Sequence, residues 1–253
     1  MMRSSFSVSL QLYSLREQSQ HDFIAVLKKV AQIGYEGVEF AGLYDQAPHL
    51  IRKVLDDLGL AATSAHGPLP SEENISRIID MANILGCTSY ISMLGESEFS
   101  NQEACNRSID TLRKTADLMK PTGLTLGYHN HWWEFDRTFK GRMPYQMIHK
   151  DIPEIFFQID TYWVAVAGLK PADILAELGK RIISLHIKDG PLTKKDSMTA
   201  VGSGKMQWNP IFEAALGTNA RVLIVELDRC DTDMDTAVDQ SLKYLKKQEF
   251  GKS

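Results

Sequence analysis

The sequence predicts a single (β/α)8 TIM barrel spanning 1–253, on three observations. Short apolar runs alternate with segments of helical periodicity eight times along the chain. No Ser/Pro-rich linker or shift of composition separates these units, and 253 residues is an ordinary length for one such barrel. In the second half, four consecutive strand-like runs end on ionisable side chains: Tyr128-His129-Asn130-His131-Trp132-Trp133-Glu134, Gln158-Ile159-Asp160, Leu185-His186-Ile187-Lys188-Asp189 and Ile224-Val225-Glu226. Such groups are costly inside a core, so four strands ending this way point to one polar site at a shared rim. A doubly wound open sheet is the rival, but it would spread strands five to eight along an edge, whereas a barrel gathers their carboxyl ends round one mouth.

The elements run in this order. The run over 7–12 leads to a helix over 22–32, where Phe23, Val26, Leu27 and Val30 recur at helical spacing. Gly37-Val38-Glu39-Phe40 is the second strand, with its helix over 51–58. The run 61–65 leads to a helix over 75–85, and 89–92 to one over 106–119. After Gly123, the run 124–128 precedes a helix near 143–149. The last three units pair 155–159 with 172–178, 182–187 with 211–216, and 222–225 with 237–246. Asp160 and His186 lie 26 positions apart, about one βα repeat, which sets them on neighbouring strands at similar height.

A content of 43% hydrophobic and 24% charged residues supports a large core. The net charge of -4 disfavours nucleic acid as a partner. Cys87, Cys105 and Cys230 are scattered and odd in number, which argues against both a disulfide framework and a thiolate zinc site. A reducing, cytoplasmic setting is expected. Residues 1–13 carry one Arg and only a short apolar stretch, unlike a secretion signal, and no run approaches the roughly 20 apolar residues of a membrane span. No membrane partner is expected, and a homo-oligomer stays open.

Glu134, Asp160, His186 and Glu226 together offer three carboxylates and one imidazole, a cage for one divalent metal ion: manganese, magnesium, cobalt or zinc. Clustered carboxylates without a cation would repel one another, and a metal removes that problem. Taken singly, each could instead cap a loop or pair with a Lys or Arg; occurrence at four successive strand ends favours the site. His129 and His131 bracket Asn130 and, if the strand persists, point to the same side. Either could bind metal in place of Glu134, act as a base or hydrogen-bond a sugar hydroxyl. A buried histidine held by a backbone carbonyl is the plainer alternative.

Gln11, Glu39 and His66 end the first three strands. His66 is the strongest of these, because Gly67-Pro68 makes an abrupt turn that would hold its ring over the mouth. Lys188 shares a strand face with His186 and could neutralise an enolate, contact a hydroxyl or bridge to a carboxylate. Trp132, Trp133, Tyr162 and Trp163 could stack on a sugar, although barrel–helix packing should claim at least two of them. Gly202-Ser203-Gly204-Lys205 lacks phosphate-loop spacing and reads as a lid or a phosphate contact after strand seven.

Leu10-Gln11-Leu12-Tyr13-Ser14-Leu15-Arg16, Gly34-Tyr35-Glu36-Gly37-Val38-Glu39-Phe40, the 129–135 stretch, Asp160-Thr161-Tyr162-Trp163, His186-Ile187-Lys188-Asp189 and Val201-Gly202-Ser203-Gly204 resemble the xylose-isomerase-like barrels, the sugar phosphate isomerase/epimerase group that includes apurinic endonucleases. The resemblance runs nearly end to end. It implies a metal site at Glu134, Asp160, His186 and Glu226. The last three match cleanly. The first Glu stands nearer the strand end in many relatives, where this chain has Tyr128 and His129.

The implied activity is a divalent-metal-dependent sugar isomerase or epimerase acting on a small carbohydrate through a metal-stabilised enediolate, with Glu134 and Glu226 as the acid/base pair. His66, His129, Trp163 and Lys188 would contact substrate. An alternative keeps the site but eliminates a leaving group from a keto-glycoside, as a lyase or hydrolase with His131 as base. An apurinic-site endonuclease would need about nine metal ligands and a basic face, which seven histidines and a negative charge disfavour. A non-enzymatic sugar-binding barrel is the remaining class.

Overall fold

Side-chain alternation in the first strand shows how the barrel is filled. In β1 (Ser7–Gln11), Val8 and Leu10 alternate with Ser7, Ser9 and Gln11. The Ser9 hydroxyl lies 2.7 Å from the Thr63 hydroxyl of β3 (Ala61–His66), and since β2 (Gly37–Phe40) runs between those strands, the contact crosses the barrel interior. Leu10 therefore packs outward, against the helices.

The computed structural model describes residues 6–248. Among them, β1, β2, β3, β4 (Ser89–Ser92), β5 (Thr125–His129), β6 (Phe156–Asp160), β7 (Ile182–Ile187) and β8 (Val222–Val225) form one closed barrel in sequence order, with every pairing parallel. The helices are α1 (Arg16–Ile33), α2 (Pro48–Leu58), α3 (Ile75–Leu85), α4 (Gln102–Met119), α5 (Pro144–Asp151), α6 (Thr161–Val166), α7 (Pro171–Leu178), α8 (Trp208–Leu216) and α9 (Met234–Lys247). One apolar cluster, reaching from Phe6 to Leu245, fills the layer between strands and helices. No described helix is long and apolar enough to cross a membrane.

The eight predicted strands stand, within a residue at each end. α1 starts six residues earlier than its periodicity suggests, and the backbone breaks at Asp22 (φ -153°, ψ 92°), whose carboxylate accepts from the Ala25 amide 2.9 Å away. The predicted start is thus the cap of a second helical segment. α4 also begins earlier, at Gln102, behind Asn101, which caps the Ala104 amide at 2.9 Å. α6 was not predicted, because six residues are too few to display a helical period.

Two irregularities shape the interior. Pairing of β2 with β3 slips between Val38 and Glu39, leaving Thr63 as the extra residue, and pairing of β6 with β7 slips between Phe157 and Gln158. Successive residues of a regular strand face opposite ways, yet Thr63 and Ser64 both turn their hydroxyls inward, to Ser9 and to Glu39. A bulge permits this, because it re-aims one side chain. The result is a polar column of Ser9, Gln11, Glu39, Ser64, Gln158 and Ser184, all buried beneath the carboxyl ends of the strands.

Candidate functional site

Register brings the strand ends to one height. Asp160 pairs with His186 across β6 and β7, and His186 with Ile224 of β8, two residues before Glu226. Donor atoms of His129, Asp160, His186 and Glu226 all lie within 4.8 Å of one another, and all four residues are buried. Ligands about 2.2 Å from one ion are separated by at most ~4.4 Å, so a contraction of a few tenths of an ångström would close the four around a cation. Two imidazoles and two carboxylates suit borderline divalent metals.

Each donor is held from behind. His186 Nδ1 faces Glu226 Oε2 at 2.8 Å while its Nε2 meets Glu39 Oε1 at 2.7 Å. His129 Nδ1 meets Gln158 Oε1 at 3.0 Å, and its Nε2 lies 3.9 Å from Asp160 Oδ2. Asp160 Oδ1 caps α6 by accepting from the Trp163 amide at 3.0 Å. Its Oδ2 accepts no hydrogen bond of good geometry, with the Lys188 ammonium 3.0 Å away. The Asn130 amide pairs with both backbone groups of Asp160, at 2.9 and 3.2 Å, and so continues the β5–β6 ladder past the end of β5.

Lys188 is buried among three carboxylates, 2.7 Å from Glu226 Oε2, 3.0 Å from Asp160 Oδ2 and 3.0 Å from Asp228 Oδ1. Burial opposes its charge, but those three neighbours hold its pKa well above the ordinary value. Burial likewise opposes an imidazolium at His186, yet Glu39 and Glu226 on either side hold it at about 10. Burial lifts Asp160 to about 6 against the pull of Lys188 and His186, whereas at Glu226 the same two cations outweigh burial and lower the carboxyl. Four carboxylates, Glu39, Asp160, Glu226 and Asp228, thus face two cations. The remaining negative charge is what a divalent ion would neutralise.

Above the cluster opens a cavity of about 410 Å³, lined among others by Gln11, His66, His129, His131, Trp132, Trp133, Trp163 and Lys188. His66 stands with its ring centre 5.1 Å from that of His129, and its Nε2 is buried without a hydrogen-bond partner. His131 stacks on Trp133 at 4.2 Å with planes 6° apart, and its Nδ1 is likewise buried and unpaired. Burial, and next the Lys188 ammonium, push the His131 pKa down to about 3. Trp163 packs edge-on against Trp132 at 4.8 Å and carries Lys188 Nζ 5.5 Å over its ring.

Two expectations need correction. Glu134 does not join Asp160, His186 and Glu226: its Oε1 accepts from the Tyr128 hydroxyl at 2.7 Å and its Oε2 from the His131 amide at 2.8 Å. The turn after β5 closes over Glu134 and buries it in the core, while His129, the last residue of β5, reaches the cluster. Packing claims at least two of the four aromatics, as expected: Tyr162 is fully buried with its hydroxyl turned to the Thr193 carbonyl, and Trp133 and Trp163 belong to the apolar core while also lining the cavity beside Trp132. The Gly202 to Lys205 segment is a strap folded around Asp189, whose carboxylate accepts from the amides of Gly190, Gly202 and Met206 and from the Trp208 indole, at 2.8 to 3.1 Å. A Cβ at Gly204 would collide with that carboxylate.

Sequence reading underrated Glu39 and passed over Gln158 and Asn130. A carboxylate in an otherwise apolar four-residue run was the available signal for Glu39.

The pattern that defines the xylose isomerase-like TIM barrels matches residues 27–248. The chain belongs to that family. Inosose dehydratase from Clostridium beijerinckii is 23% identical, over 90% of this chain and 88% of that protein. The crystal structure of a sugar phosphate isomerase/epimerase from Parabacteroides distasonis superposes with a TM-score of 0.80 at 24% identity, covering 99% of this chain and 97% of that one. The IOLI protein, solved with a bound zinc atom, superposes at 0.70 with 14% identity, over 95% and 96% of the two chains. At these identities the solved structures establish the barrel and not the reaction.

Proposed function

We propose that the protein is a divalent-metal-dependent enzyme that removes a proton from the carbon beside the carbonyl of a small polyhydroxylated ketone or aldehyde. The observation that carries this reading is the gathering of His129, Asp160, His186 and Glu226 donors within 4.8 Å under a cavity of about 410 Å³, within the usual range for small-molecule sites. A manganese, magnesium, cobalt or zinc ion held there would polarise the carbonyl and take up the charge that develops on its oxygen.

The chain's own groups supply the rest. His131 lines the cavity as a neutral imidazole with an unpaired Nδ1 and is the base in this reading, although burial and the Lys188 ammonium make it a weaker base than a free imidazole. Lys188 offers a second positive charge to the anion so formed. Trp132, Trp133 and Trp163 cover the apolar face of a sugar ring and exclude water, and His66 Nε2 is free to meet a hydroxyl.

Isomerisation or epimerisation results when the proton returns, and elimination when a neighbouring oxygen leaves. The position of Glu134 argues against epimerisation and leaves isomerisation and elimination. Inversion at carbon calls for bases on both faces of the substrate, and the Glu134/Glu226 pair that would provide them is not assembled. Of these two, elimination is supported by the relative named a dehydratase.

A panel of ketoses, inososes and keto-glycosides incubated with the manganese-loaded protein in deuterium oxide tests both levels. Deuterium beside the carbonyl with unchanged carbon skeleton means isomerase or epimerase; loss of water or of an aglycone means elimination. If the whole panel shows neither exchange nor fragmentation, the proposal is wrong.

A further inference from the structure

Glu39 lies on the far side of both histidines from the cavity and is fully buried. Its carboxylate is saturated: Oε1 accepts from Gln11 Nε2 and His186 Nε2, both at 2.7 Å, and Oε2 from Ser64 Oγ at 2.5 Å and Gln158 Nε2 at 2.6 Å. An ionised carboxylate only accepts hydrogen bonds. The ring nitrogen of His186 that faces it must therefore carry a proton; Nδ1 donates the other proton of this imidazolium to Glu226, and Nδ1 is the nitrogen that would give up its proton to take a metal. The Gln158 amide must likewise turn its NH2 toward Glu39, so its Oε1 is the atom left for His129. An amide oxygen accepts, hence His129 Nδ1 carries the proton and Nε2 is the bare nitrogen aimed at Asp160.

We infer that Glu39 is the positioning residue that keeps a proton on the outer ring nitrogen of both cluster histidines at once, one directly and one through Gln158, so that the inner nitrogen of each is the one left for a metal at the same point. This rests on the proposed metal site for its purpose, though not for its hydrogen-bond logic. Residues behind metal ligands act in this way in general, orienting the ring and fixing its bare nitrogen.

Glu39→Gln tests the idea, because an amide of the same shape has one donating end. If the donating end faces Gln158, that amide must flip and present its NH2 to His129, which then carries its proton on Nε2, inside the cluster. If it faces His186, that ring must accept at Nε2 and carry its proton on Nδ1. Either orientation takes one of the two inner nitrogens away from a metal.

Manganese and zinc affinities, measured by calorimetry on the full chain, are expected to fall about 10- to 100-fold in E39Q. Glu39→Asp keeps an acceptor-only group and is expected to recover part of that loss. Equal affinities for E39Q and the wild type would overturn the inference. A second measurement on the unmutated, metal-free protein covers failure of E39Q to fold: nitrogen-15 NMR of labelled histidines is expected to find His129 protonated on Nδ1. Protonation on Nε2 would overturn the inference equally. Absence of any metal binding by the wild type would sink the proposed function instead, and the NMR result would still decide the role of Glu39.

Discussion

His131 and Glu134 sit three residues apart and meet opposite fates. The carboxylate of Glu134 grips the His131 backbone and the Tyr128 hydroxyl, so it shapes the turn that holds the imidazole over the cavity. Replacing His131 by Asn is expected to lower kcat by about 10²- to 10⁴-fold, the usual worth of a general base, while manganese affinity is unchanged. Stopped-flow or deuterium-exchange kinetics beside calorimetry would check the pair. Burial lifts the Glu134 carboxyl from its ordinary 4.5 to about 8, with hydrogen bonds from Tyr128 and His131 offsetting only part of the rise. The unfolded chain therefore ionises Glu134 at a lower pH than the folded one. The associated stability is fully present below about pH 4.5 and is lost as pH climbs through about 8. Glu134→Gln removes this dependence, so the melting temperature of the variant relative to wild type is expected to rise between pH 5 and 9. A constant difference across that range would refute the assignment.

At the scale of elements, strands were legible and their continuations were not. A strand announces itself by a short apolar run bounded by turn residues, and all eight did so. The path of the chain beyond a strand end is set by contacts outside the local sequence. Asn130 extends the β5–β6 ladder through its side chain, Asp160 serves at once as strand end, helix cap and cluster donor, and the strap over 190–206 folds around Asp189. Four donors converge on that one buried carboxylate, and a buried donor left unpaired costs about 1–3 kcal/mol. Asp189→Ala is expected to destabilise the protein by about 2–4 kcal/mol and to open the strap to limited proteolysis. Urea unfolding and mapping of the first cleavage sites would check this; first cuts elsewhere would count against it.

The whole molecule is a barrel whose interior departs from the usual packing of branched apolar side chains. Its upper layers hold Gln11, Glu39, Ser64, Gln158 and Ser184, linked to one another and to the two cluster histidines. An ion that binds only the folded barrel stabilises it by mass action, by about 2.7 kcal/mol when the free metal is 100 times its dissociation constant. Thermal melts with manganese or zinc added after chelation are expected to recover that margin. Melts indifferent to every divalent metal tried would remove the basis for the metal reading.

Length, alternation and the placement of polar residues at strand ends determined the barrel and the common rim of Asp160, His186 and Glu226, because each of those signals is local and strand order tracks chain order. Tertiary structure alone decided that His129 rather than Glu134 completes the group, that Lys188 lies among its carboxylates, and that Glu39 stands behind both imidazoles. Those outcomes depend on the path of a turn and on distances across the barrel, between residues as far apart in sequence as Glu39 and His186. No periodicity records them.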